Sequence, residues 1–247
     1  MYPHFKIGGH EFSTYWMIFL VGIILMFGFN CFRGKKQKKK TGTVFAMTLF
    51  FILVSLAGAK ILYYLENISV LMTRGIRLNG VSFFGAVFLA PLGGLLATKI
   101  TGEKWRDLMD FYTPSLVLML AVLRVGCYVS GCCGGISVTL GGIYISVFPA
   151  QLTECAGDLL ILAGLLLYEK YWDRTGRLYP FFMVYYGCLR FLLEFVRDTS
   201  KNLLGMSHGQ WFSVIAVIIG GWLLHRFGKN DKKEEIYRKK KNKKRKR

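Results

Sequence analysis

Thr43–Tyr64 reads TVFAMTLFFILVSLAGAKILYY, a stretch whose only charge is Lys60. A helix of that length rises about 33 Å at about 1.5 Å per residue, enough to cross a hydrocarbon core of about 30 Å. Directly before it stands RGKKQKKK, Arg33–Lys40, with six basic residues and no acid. An apolar run flanked by such a cluster predicts a membrane-crossing helix whose N-terminal end is cytoplasmic.

Six further apolar runs repeat the pattern. They are expected at Thr14–Cys31, Val81–Ile100 with an internal Pro91, Pro114–Ser130, Gln151–Tyr168, Tyr179–Phe195 and Trp211–Leu224. Together they predict an all-α polytopic membrane protein of about seven transmembrane helices. Helices are the expected solution because a span in lipid must satisfy its own backbone. With seven spans, Arg33–Lys40, Lys99–Asp110, Glu169–Arg177 and the basic C-terminal tail share one side. The positive-inside rule makes that side cytoplasmic and puts the N-terminus outside. Met1–Glu11 has no basic leader before its apolar run, so the first span is expected to be retained. The expected organisation is a transmembrane domain over residues 1–227 and a basic cytoplasmic tail, frayed or disordered, over 228–247.

Composition agrees with a multi-pass membrane protein. Of the 247 residues 53% are hydrophobic and 19% charged, and mean hydropathy is +0.38. The net charge of +19 would suit nucleic acid, but it sits mostly in Arg33–Lys40 and Arg226–Arg247, each just after an apolar run. Those runs are read as contacts to anionic inner-leaflet lipid, with no nucleic-acid partner expected.

The informative residues are charges inside the spans: Lys60, Arg124, Glu154, Asp158, Arg190 and Glu194, with Arg197 just beyond. Each costs about 2.5–3.5 kcal/mol at a helix centre. On the predicted topology Lys60, Arg124, Gln151, Glu154, Arg190 and Glu194 fall in the outer half of the bilayer. Arginine at that depth suits a phosphate, because its planar fork makes bidentate hydrogen bonds. Positions 190, 194 and 197 share a helix face, so Glu194 can pair with either arginine. A purely structural ion-pair set, or snorkelling by Lys60 and Arg197, is the simpler alternative.

Arg124–Gly135 reads RVGCYVSGCCGG. Its glycines end a span and free the chain to turn. The adjacent Cys132 and Cys133 are poorly shaped for a mutual disulfide. With no histidine at ligand spacing, no metal is expected there. Packed thiols, a ligand pair or a nucleophile are the open readings.

RVGCYVSG (Arg124–Gly131), PAQLTE (Pro149–Glu154), YGCLRFLLEFVRD (Tyr186–Asp198) and HGQWFS (His208–Ser213) carry a resemblance. In order and spacing the chain, from Pro3 to about Gly220, resembles the bacterial prolipoprotein diacylglyceryl transferases. The resemblance implies transfer of a diacylglyceryl group from phosphatidylglycerol to a lipobox cysteine thiol at the outer face, releasing glycerol phosphate, with no cofactor. It implies catalytic roles for Arg124, Arg190, Glu154 and Tyr186. Substrate contacts are implied for Lys60, Gln151, Glu194, Arg197, Gln210 and Ser130. The sequence departs from the family pattern at SFFGA, Ser82–Ala86, where Phe84 replaces a histidine. Cys127 and Ser130 replace asparagines, Cys132 replaces an acid, and Lys60 stands where arginine is frequent. These departures imply a divergent member, acting on a prolipoprotein thiol or on another acceptor. A non-catalytic phospholipid-binding or transport protein is the alternative on the same scaffold.

Overall fold

The computed structural model describes residues 4–7, 10–75, 82–140, 143–172, 176–199 and 205–245. Their element order is β1 (His4–Ile7), β2 (His10–Ser13), α1 (Thr14–Lys36), α2 (Thr41–Glu66), α3 (Ile68–Arg74), α4 (Phe83–Thr101), α5 (Trp105–Ser130), β3 (Ser137–Leu140), β4 (Ile143–Val147), α6 (Ala150–Tyr171), α7 (Leu178–Leu193) and α8 (His208–Arg245). Among the described residues six helices are long and apolar enough to cross a membrane, namely α1, α2, α4, α5, α6 and the His208–Lys229 part of α8, and α7 is a shorter apolar helix. The all-α membrane architecture holds. The two antiparallel hairpins, β1–β2 and β3–β4, are short additions in connecting segments. Side chains such as Ile24, Leu160, Leu192 and Ile218 are more than half exposed. An apolar surface of that kind requires lipid rather than water around it.

Several boundaries differ from the sequence expectation, each for a physical reason. The helix expected from Pro114 begins at Trp105 and takes Pro114 inside. Its first turns carry Arg106, Asp107 and Asp110, which conceal a helix from an apolar-run reading. Proline deprives the carbonyl four residues earlier of its donor. That carbonyl is Asp110 O, and the Arg33 guanidinium approaches it at 3.5 Å. The last helix runs on to Arg245, so the tail beyond residue 228 continues as helix to that point. The Arg177–Asp231 ion pair at 2.9 Å ties that extension down. Val81, the expected start of the third span, lies outside the described residues.

The chain divides into two compact units, Met1–Leu20 with Leu120–Arg247, and Val21–Met119. Within the second unit α2 packs on α4 through Gly58 and Gly85. A Cβ on Gly58 would lie 2.5 Å from Gly85 O, and one on Gly85 would strike Gly58 O. Close backbone approach is how membrane helices gain van der Waals contact without a hydrophobic driving force. Within this unit Asn30 Nδ2 donates to Thr48 Oγ1, and Thr48 Oγ1 donates to Val44 O. In the first unit α7 packs along α8 and also contacts α6.

Candidate active site

The first unit brings the C-terminal ends of α5 and α7 to the N-terminal ends of α6 and α8. Arg124 lies late in α5, Glu154 early in α6, Arg190 late in α7, and Glu194 caps α7. Arg197 follows in the loop.

Glu154 is the hub and is fully buried. Its Oε1 forms an ion pair with Arg124 Nη2 at 2.8 Å and accepts a hydrogen bond from Tyr186 Oη at 3.2 Å. Its Oε2 accepts from Arg190 Nη1 at 3.0 Å and Arg197 Nη1 at 3.3 Å. One carboxylate therefore gathers three guanidiniums and a phenol. Burying such charges is tolerable only because each has a partner. Arg197 is buried in this network and does not snorkel.

Glu194 is the second carboxylate. Its Oε2 lies 3.2 Å from Arg190 Nη2 and 3.7 Å from Arg197 Nε. It thus joins Arg190 at the end of α7 and Arg197 in the loop beyond, the two partners that the 190, 194, 197 spacing offers. Its Oε1 accepts from Ser207 Oγ at 2.8 Å. Ser207 also begins α8: Ser207 N donates to Gln210 Oε1 at 3.0 Å, and Gln210 N donates to Ser207 Oγ at 3.2 Å. This reciprocal pair is a capping box. Gly209 in the first turn of α8 sits against the Glu194 carboxylate. An anion at a helix N-terminus meets the positive end of the helix dipole.

The ion-pair network holds three guanidiniums against two carboxylates, one positive charge in excess. Two buried donors within it, Arg124 Nε and Arg197 Nε, have no hydrogen-bond partner among the described residues, and neither has the buried Ser130 Oγ at the end of α5. Unpaired buried donors are costly unless a ligand or water meets them. Asp158, one turn beyond Glu154 on α6, is fully buried, and neither carboxylate oxygen has a hydrogen-bond partner among the described residues. Sequence reasoning placed Asp158 among the span charges but gave it no part in the site; its i+4 spacing from Glu154 was the available signal.

The loop after α5 closes beside this network. Gln151 Nε2 donates to Cys132 O at 2.7 Å. Gly135 pairs with Arg197 in an isolated bridge, and Ile136 N donates to Val196 O at 2.9 Å. Arg197 and the cysteine loop are thereby held to one another. The Cys127 thiol shares a hydrogen bond with Cys133 and lowers the Cys133 pKa well below the ordinary thiol value. Desolvation opposes that shift, and Arg197 and Arg124 reinforce it. Burial moves Cys132 the other way.

Of the residues expected in the site, Arg124, Glu154, Tyr186, Arg190, Glu194 and Arg197 form one network. Gln151 and Gln210 are second supports, through the loop and the α8 cap. Ser130 ends α5. Lys60 belongs to the other unit, where its Nζ lies 5.8 Å from both the Tyr63 and Tyr64 rings. Phe84, in the same unit, is buried and stacks on Phe88 with centroids 6.1 Å apart.

Apolar membrane-length helices around a buried guanidinium–carboxylate network define an integral membrane protein with a charged site at its helix ends. The chain belongs to the prolipoprotein diacylglyceryl transferase family, whose sequence profile matches residues 3–226. A phosphatidylglycerol–prolipoprotein diacylglyceryl transferase of Clostridium tetani is 26% identical over 235 residues, spanning 87% of this chain and 93% of the relative. One named as transferase 2 from Clostridium perfringens is 26% identical, spanning 91% and 94%. A Coxiella burnetii relative with the same activity in its name is 27% identical over 254 residues, spanning 90% and 95%.

Proposed function

We propose that this membrane protein transfers the diacylglyceryl group of phosphatidylglycerol to the cysteine thiol of a prolipoprotein. The observation that carries the reading is the excess guanidinium charge around Glu154, in a chain whose relatives bear that activity in their names. Sulfur attacks the diacylglyceryl carbon bound to phosphate, the carbon–oxygen bond breaks, and a thioether forms. Glycerol phosphate leaves with the bonding electron pair, and the thiol proton passes to the leaving phosphate or to water.

The substrate phosphodiester carries one negative charge, and the leaving phosphomonoester gains another as the bond breaks. Catalysis therefore needs positive charge placed in advance where the new charge appears. Arg124 and Arg190 supply it, each with its fork fixed by a carboxylate. Glu154 and Glu194 set the two guanidiniums, and Tyr186 holds Glu154 from the side away from Arg190. Arg197 joins the phosphate site, and Ser130 offers it a hydroxyl. Gln151 and Gln210 position the cysteine loop and the first turn of α8.

The loop charges support an N-terminus outside and a C-terminal tail inside, which sets the arginine network in the outer half of the bilayer. The basic cytoplasmic segments then contact anionic inner-leaflet lipid. A cavity of about 680 Å³ lined in part by Lys38, Lys39, Lys40 and Tyr112 suits such a headgroup. Residues 1–227 are the transferase domain and 228–247 a basic extension.

The test is a reconstituted assay. Purified protein in vesicles receives labelled phosphatidylglycerol and a lipobox peptide, and mass spectrometry follows the peptide. The expected product is a diacylglyceryl thioether on the peptide cysteine, absent when that cysteine is replaced by serine. Vesicles that yield no thioether would overturn the reading.

A further inference from the structure

Three thiols that the transfer chemistry does not use lie together at the end of α5. The Sγ atoms of Cys127, Cys132 and Cys133 all fall within 4.8 Å of one another. The sequence reading set a metal aside because it counted only the adjacent pair and sought a histidine. The third ligand comes from the helix itself, five residues before Cys132, where α5 and its terminating turn bring Cys127 back to the pair. Adjacent side chains ordinarily diverge. Here Cys133 has φ 60°, in the left-handed region that non-glycine residues seldom occupy. That bend gathers the second thiol with the other two.

We infer that Cys127, Cys132 and Cys133 form a three-thiolate site for one thiophilic d10 cation of the zinc and cadmium class. Metal–sulfur bonds in such sites are about 2.3 Å, so tetrahedral ligands stand just under 4 Å apart, and closing the cluster needs movement of about 1 Å or less. Cys127 is buried and fixed by the helix, whereas Cys132 and Cys133 are exposed. The ion enters from the exposed side, where Cys132 and Cys133 close on one preset ligand. Soft thiolates select this class of ion over calcium or magnesium. Binding replaces three thiol protons, so three thiolates and a divalent ion leave a single negative charge. Arg124 and Arg197, whose fields reach Cys133, compensate it. A three-ligand set leaves the fourth position open to water or to an external ligand.

Gln151 and the Gly135–Arg197 bridge hold this loop against the arginine network. The binding claim nevertheless stands apart from the transfer reaction and is read without it. Full-length protein in detergent, reduced and freed of metal, is titrated with cadmium(II), and thiolate-to-metal charge transfer is followed in the ultraviolet. Zinc(II) then competes. One equivalent per chain is expected. Cys127→Ser, Cys132→Ser and Cys133→Ser should each weaken binding at least tenfold, while the triple variant Cys31→Ser/Cys155→Ser/Cys188→Ser keeps wild-type affinity. Should Cys127→Ser fail to fold, the two exposed positions carry the comparison. As a second readout, zinc should slow maleimide labelling of Cys132 and Cys133 at least tenfold. Unchanged cadmium affinity in Cys132→Ser or Cys133→Ser, loss of binding in the triple variant, or labelling indifferent to zinc would each overturn the site.

Discussion

Arg124 and Arg190, from α5 and α7, hold opposite oxygens of one carboxylate, Glu154, at 2.8 and 3.0 Å. The two guanidiniums are therefore fixed relative to each other by a residue of a third helix. Their planar forks present several N–H groups in a set direction, which an ammonium cannot reproduce. Arg124→Lys and Arg190→Lys should each lower diacylglyceryl transfer at least about tenfold, equivalent to about 1.4 kcal/mol of transition-state stabilisation. Both variants should still insert. Initial rates in reconstituted vesicles, normalised to inserted protein, make the check; wild-type turnover in both would reject a phosphate clamp.

Removing the hub rather than a spoke should cost stability first. Glu154→Gln leaves three guanidiniums without their shared counter-charge in a buried setting. Breaking a buried ion pair by deleting one partner costs about 3–5 kcal/mol. The variant should melt at a markedly lower temperature in detergent. Tyr186→Phe removes a single hydrogen bond to the same carboxylate, worth about 1.5–3 kcal/mol, and should melt closer to wild type. Equal melting temperatures for Glu154→Gln and wild type would show that the network is not what holds these helix ends together.

Much of this site was legible from depth alone. Arg124, Glu154, Arg190 and Glu194 are charges in apolar runs, and the cost of burying them required partners at a common level. Which partner each would take was not legible. Glu194 had two arginines on its own face, yet Glu154, from another helix, engages Arg124, Arg190 and Arg197 together. Ser207 and Gln210 spell a capping box in the sequence, but only the fold shows that the Ser207 hydroxyl also serves Glu194. The start of α5 was missed because Arg106, Asp107 and Asp110 make its first turns polar and Pro114 reads as a start rather than an interior residue. The hairpins were missed because their strands are only four or five residues long.

The predicted orientation rests on loop charge and needs a measurement of its own. Lys36 and Lys239 should be cytoplasmic and Cys132 external. Cys132 is exposed, so a membrane-impermeant maleimide should label it in intact cells carrying a variant without the other cysteines. A cysteine placed at residue 239 should react only after the membrane is opened. Labelling at 239 but not at Cys132 in intact cells would invert the topology.

Gly209 offers the most selective test of how the α8 cap serves the arginines. A Cβ at this position would lie 2.9 Å from Glu194 Oε1 and 3.0 Å from its carboxyl carbon. Gly209→Ala must therefore push the Glu194 carboxylate off the first turn of α8. Glu194 in turn pairs with Arg190 and Arg197, so the displacement reaches the proposed phosphate site without deleting any charge. A misplacement of about 1 Å remote from the reacting atoms can cost about a hundredfold in rate. A fall in kcat of at least about tenfold is expected, with a smaller change in KM. Gly164→Ala is the control: nothing lies within 4 Å of its Cβ position, and alanine is the better helix former by about 1 kcal/mol. It should leave the rate unchanged and raise stability slightly. The companion Gly209→Ala/Glu194→Asp variant shortens the carboxylate side chain away from the new methyl group and should recover part of the lost rate. If Gly209→Ala turns over like wild type, the contact between Glu194 and the first turn of α8 has no part in placing the arginines.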